Sequence, residues 1–147
     1  MIRGMGKMRG LGLLLTMLLA PALVAGCAAL QDAETRTPTR NSQGYAALSP
    51  EDLATMLATE DPLLVNVHIP YEGEIEGTDI HIPYNTIDRH LDKLLAHDAP
   101  IVVYCMSGPM SRDAAQRLSE LGYVSVYELT GGMRAWEAAG FELIYRP

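Results

Sequence analysis

Cysteine is scarce in this sequence: its 147 residues hold two, Cys27 and Cys105. That excludes the multi-disulfide frameworks that staple small exported domains. Positive charge is scarce as well. Eleven Lys and Arg stand against 18 Asp and Glu, for a formal net charge of −7. Such a chain has too few cations to neutralise a phosphate backbone, which excludes nucleic acid as its partner. Long apolar runs are also missing. Residues 11–26 come nearest, but Pro21 interrupts them and they fall short of the ~20 residues of a stable membrane span. No internal repeat is present. His68, His81 and Asp79 show none of the spacings that hold a metal, so no metal and no other cofactor is expected.

The N-terminus, by contrast, is well organised. Arg3, Lys7 and Arg9 come without any acid, an apolar stretch follows, and small residues close it, which is the layout of an export signal over residues 1–26. An uncleaved anchor helix is the plainer alternative. The ending Val24-Ala25-Gly26-Cys27 resembles a bacterial lipobox. The resemblance implies that Cys27 is lipidated and opens the mature chain. The protein would then be anchored in the cell envelope, on the outer side of the cytoplasmic membrane or in the outer membrane. Losing residues 1–26 removes three cations and no acids, leaving a net charge of −10. That excess of acid argues against a polybasic membrane patch and leaves lipid as the tether. It also leaves Cys105 without an intramolecular partner. A leftover thiol of this kind is a reactive group, half of an intermolecular bridge, or a small buried hydrophobe.

Residues 27–47 are polar, short of large apolar groups, and expected to form a flexible tether. Residues 48–147 suit one domain. Ser49-Pro50-Glu51-Asp52 has the form of a helix start, with Ser49 capping and acids at the positive end. Residues 63–68, 101–104 and 124–129 read as strands, and 141–145 as an edge strand. Residues 69–85 read as loop, with Tyr71, Glu72 and Glu74 candidates for a pocket wall. The spacing of Ile87, Leu91, Leu94 and Leu95 predicts a helix. Another runs from Ser111, as cap, through Ala114, Ala115 and Leu118 to Gly122, and a short one covers 133–139 with Trp136 as core. Strands alternating with helices imply an α/β fold of three layers, a mostly parallel central sheet flanked by helices.

In such a fold, ligands bind beyond the carboxyl ends of the strands. Cys105 stands there, directly after the wholly apolar strand Ile101-Val102-Val103-Tyr104. Met106, Ser107, Gly108, Pro109, Met110 and Ser111 form the loop that leads into a helix N-terminus. The free N–H groups of that terminus favour an anion, and so a thiolate. Gly108 lets the loop curl with its amides turned inward. The expectation is an accessible sulfur ringed by those amides.

The stretch from Val102 to Phe141 resembles the active-site half of a single-domain rhodanese: strand, Cys105, Gly108, helix, then Gly131, Gly132 and Trp136. Residues 63–87 are similar to the family's first motif. The resemblance implies sulfurtransferase chemistry through a persulfide on Cys105. The donor would be thiosulfate or another small sulfur compound, and the acceptor a thiol or a cyanide-like nucleophile. The chain also departs from the family's pattern. Met106 and Met110 stand where many members carry Arg, and Asn66-Val67-His68 replaces Asp-Val-Arg, removing an ion pair beneath the site. A less charged persulfide therefore suits this loop better than dianionic thiosulfate.

His68, which follows a strand as Cys105 does, is a candidate to stabilise the thiolate. Arg134 is a candidate replacement for the missing loop cations. Arg112 follows the thiol after six residues, one too many for the Cys-five-Arg loop of thiol phosphatases, and is expected to point outward. Gly131 and Gly132 are candidates to bring their turn against the thiol loop. The other readings of the whole are a non-catalytic binding module and a redox thiol protein with its partner Cys on another chain.

Overall fold

The computed structural model describes residues 38–146. The export signal, Cys27 and most of the expected tether lie outside the described residues. The tether's last residues do not behave as tether. Tyr45 and Ala46 are buried, and Ala46–Leu48 forms the first strand, β1. Small and aromatic side chains here complete a sheet edge, so the folded unit begins before residue 48.

Helix α1, Pro50–Thr59, starts as the sequence predicts. Ser49 Oγ accepts the Asp52 N–H at 3.1 Å, while the Asp52 carboxylate accepts the Ser49 N–H. Strand β2, Leu63–Asn66, follows, shorter than expected. The expected loop after it contains two short strands, β3 at Glu74–Ile75 and β4 at Ile80–His81. Next come strand β5 at Ile101–Tyr104, helix α2 at Pro109–Glu120 and strand β6 at Val126–Leu129. Helix α3, Gly132–Ala138, and strand β7, Leu143–Ile144, complete the described residues.

Five strands form one parallel sheet in the order β1-β6-β5-β2-β4. Strand β7 is not an edge of that sheet. It pairs antiparallel with β3 in a separate two-stranded sheet. Alternation along β5 divides the core between the two faces of the sheet. Ile101, Val103 and Cys105 pack with Ala114, Ala115 and Leu118 of α2, whereas Val102 and Tyr104 pack with Leu53, Met133 and Trp136 of α1 and α3. Helices therefore cover both faces, as all-parallel sheets require.

The helix expected around Ile87 to Leu95 is absent. The chain forms two 3-10 turns there, Tyr84–Arg89 and Leu91–Lys93. The cause is local. His90 Nδ1 lies 3.0 Å from Thr86 O, occupying the carbonyl that an α-helical His90 N–H would use, and that N–H turns to Ile87 O instead. Ile87 is buried nonetheless, while Leu95 is exposed.

Candidate active site

The strand-to-helix junction after β5 holds the thiol. Helix α2 begins three residues earlier than Ser111 would set it. Gly108 is its N-cap and Pro109 its first residue, where a missing N–H costs nothing. Gly108 adopts φ 113°, a backbone state that side chains rarely tolerate. The resulting curl brings the Gly108 N–H to Cys105 Sγ at 3.0 Å. Of the amides expected to ring the sulfur, this is the one that donates to it.

Ser111 is not a cap but lies inside α2 and is fully buried. Its Oγ lies 3.4 Å from Cys105 Sγ, 2.9 Å from Gly108 O and 2.7 Å from Glu128 Oε1. Glu128 projects from β6 towards α2, on the same face as Val126, and is 2% exposed. Burial pushes its carboxyl above the usual carboxylate range, against the opposing pull of the Ser111 hydrogen bond and the Arg112 charge.

The expectation of an open thiol is not met. Cys105 is 1% exposed and belongs to the apolar cluster on the α2 side of the sheet. Met110 packs against that cluster and Met106 against the one on the other face. Ser107 and Pro109 are exposed at the loop's outer surface. The sulfur is thus recessed, with Gly108 and Ser111 as its polar partners.

The glycine pair braces this loop from below. Gly131 turns the chain in the left-handed region, φ 77°, as N-cap of α3. Met133 N–H then donates to Cys105 O at 2.9 Å and Arg134 N–H to Met106 O at 3.1 Å. A Cβ on Gly132 would sit 2.1 Å from Cys105 O, so the approach needs glycine there. Arg134 engages the loop through its backbone, and its side chain is exposed. Arg112 is exposed as expected, yet its guanidinium folds back over the loop. Its Nη1 would lie 2.6 Å from a Cβ placed on Gly108. It is therefore the cation beside the thiol loop.

His68 does not reach the thiol. Its Nε2 pairs with Glu72 Oε2 at 2.7 Å, and its buried Nδ1 has no partner. The turn after β2 is thus held by a His68–Glu72 hydrogen bond. Asn66 ties the same turn, bonding Gly73 O and the His68 N–H. His81 Nε2 meets His68 O at 2.7 Å, and Asp79 accepts the Leu64 N–H at 2.8 Å. Tyr71 is partly exposed, while Glu74 is buried and charge-paired with Arg146 Nε at 2.6 Å. Glu74 is therefore no pocket wall. Trp136 is core, as expected.

Sequence reasoning missed Glu128. The available signal was a lone carboxylate in the otherwise uncharged strand Val126-Tyr127-Glu128-Leu129.

A family model for the rhodanese-like domain matches residues 49–139. The thiosulfate sulfurtransferase GlpE of Pseudoalteromonas translucida is 34% identical over 94 residues, which span 62% of this chain and 88% of that protein. A sulfurtransferase of Allochromatium vinosum is 35% identical over 98 residues, spanning 64% and 90%. Among solved structures, a rhodanese-related protein from Thermoplasma volcanium superposes with a TM-score of 0.58 at 26% identity, covering 68% of this chain and 98% of its own. A thiosulfate sulfurtransferase from Pseudomonas aeruginosa gives a TM-score of 0.56 at 26% identity, over 67% of this chain and 20% of that one.

Proposed function

Because the chain belongs to the rhodanese-like family, we propose that it is a sulfurtransferase that carries sulfane sulfur on Cys105. The observation that carries this reading is the Gly108 N–H at 3.0 Å from Cys105 Sγ, at the mouth of α2. A donor aimed at that sulfur stabilises negative charge as it develops there. The Cys105 thiolate attacks the outer sulfur of the donor. The donor's S–S bond breaks, and sulfite or a thiolate leaves with the electron pair. Cys105 then holds a persulfide, whose outer sulfur is taken by a thiolate or cyanide-like acceptor, and the thiolate returns.

The recessed sulfur requires the loop between Met106 and Met110 to open before attack. The two methionines and the acidic chain favour a persulfide donor of low charge over thiosulfate, with Arg112 as the cation nearest the incoming group. The lipobox-like ending at Cys27 supports a site of action in the cell envelope, the chain held to membrane by lipid.

The burial of Cys105 favours a second reading, a binding module that keeps the fold without turnover. Intact mass of the full chain carrying Cys27→Ser, exposed to thiosulfate or to a small-molecule persulfide, separates the two. A gain of one sulfur that Cys105→Ser abolishes is the expected result. No gain with either donor supports the module, and addition of the whole donor as a mixed disulfide indicates a redox thiol.

A further inference from the structure

Glu128 has no part in the scheme above, yet it is the buried carboxyl nearest the nucleophile. Three atoms crowd Ser111 Oγ: Gly108 O at 2.9 Å, Glu128 Oε1 at 2.7 Å and Cys105 Sγ at 3.4 Å. A hydroxyl carries one proton, and neither a carbonyl nor a carboxylate can donate one. With Glu128 ionised, one of the two short oxygen contacts has no proton between its atoms, inside a region that water does not reach. With Glu128 protonated, the acid donates to Ser111 Oγ and Ser111 donates to Gly108 O. Each short contact then holds one proton, and Cys105 Sγ remains free to accept from Gly108 N–H.

We propose that Glu128 is a positioning residue that takes up the proton of Cys105 through Ser111 and holds it while the sulfur acts as a nucleophile. The inference rests on the sulfurtransferase reading and deepens it. In the transfer, the Cys105 S–H bond breaks and its electron pair stays on sulfur. Ser111 Oγ receives that proton as it releases its own to Glu128 Oε1, where a new O–H bond forms. Cys105 and Glu128 thus share one proton between them, and no oxidant or reductant is involved. Once the acceptor has carried the sulfur away, the proton returns by the same path.

The surroundings suit this role. Burial already disposes the Glu128 carboxyl towards its neutral form. Arg112 of α2 is the charged group that acts on it, and it opposes that tendency. From the flanking strands, the residues in register with Glu128 are Ala47 and Val103, which carry no charge. Cys105 is the titratable group that faces it across Ser111.

Two groups sharing a proton titrate in two joint steps. The test is thiolate ultraviolet absorbance of the full chain against pH, with the Cys105→Ser chain as blank, which also removes the contribution of Cys27. The expected result is a thiolate signal that rises in two steps in the native chain and in one step in Glu128→Gln and in Ser111→Ala. A single step in the native chain, or two unchanged steps in Glu128→Gln, overturns the proposal. A merely structural role for Glu128 would lower thermal stability and leave the number of steps alone.

Should either variant fail to fold, infrared spectroscopy of the native chain decides. Loss of a protonated-carboxyl band must share both midpoints with the rise of thiolate, and unrelated midpoints sink the idea. The titration reads the thiol whether or not sulfur is transferred. Two steps without sulfur uptake would end the sulfurtransferase reading alone, and uptake with a single step would end this one alone.

Discussion

Glu128 is the residue at which this site departs most from a simple thiol loop. Its carboxyl is held above the ordinary range by burial, so the folded chain keeps a proton that the unfolded chain releases. This group's contribution to stability is then greatest below the ordinary carboxylate range. It falls as pH rises through the window up to the raised value. Glu128→Gln cannot release that proton, so its stability should lack this fall. Denaturant unfolding of both chains at a series of pH values checks this. The difference between them should move in favour of the variant as pH rises, and parallel curves would count against it. Cys105, Gly108 and Gly132 were legible from the sequence because local rules govern them: a strand end, a curl, a close approach. Glu128 was not, because its role depends on β6 lying beside β5 and under α2, a register no neighbouring residue announces. Ser111 was misjudged for the reverse reason. It fits a cap by composition, but Gly108-Pro109 satisfies the helix start three residues sooner.

At the level of elements, the thiol loop is held between two helices. Its far end starts α2, and its carbonyls accept the first N–H groups of α3. Gly132→Ala should break that brace. Its Cβ would overlap Cys105 O and Met106 C, at a residue whose φ of 59° already disfavours a side chain. Strain and overpacking together predict a loss of about 2 kcal/mol or more. Thermal unfolding would show a lowered midpoint, and sulfur uptake by Cys105 would fall with it. A variant as stable and as active as the native chain would mean that the turn has slack its geometry does not show. The elements themselves were read well where hydrophobic pattern dominates, as in α1, β2, β5 and α3. They were misread where side chains compete for backbone groups. His90 takes the Thr86 carbonyl and converts an expected helix into two tight turns. The two-residue strands β3 and β4 left no signal, since each is fixed by a partner distant in sequence.

Over the whole molecule, charge would set the approach of the proposed donor. A net charge of −7, or −10 after loss of residues 1–26, repels a dianion. Added salt screens that repulsion, with a Debye length near ~10 Å at 0.1 M falling to ~3 Å at 1 M. The rate of sulfur uptake from thiosulfate should therefore rise with ionic strength, while uptake from an uncharged persulfide should change little. Stopped-time mass analysis at low and high salt measures both, and a thiosulfate rate that falls with salt would show that Arg112 outweighs the acidic surface. The sequence carried this balance in full, since counting charges needs no fold. It did not reveal the depth of the thiol, which follows from packing between sheet and α2. That depth has a consequence for the lifetime of the protein. Irreversible oxidation of a cysteine follows how freely peroxide reaches it. A sulfur 1% exposed is sheltered from it. In the proposed transfer, a seclusion that slows each encounter with a donor would preserve the chain for more of them.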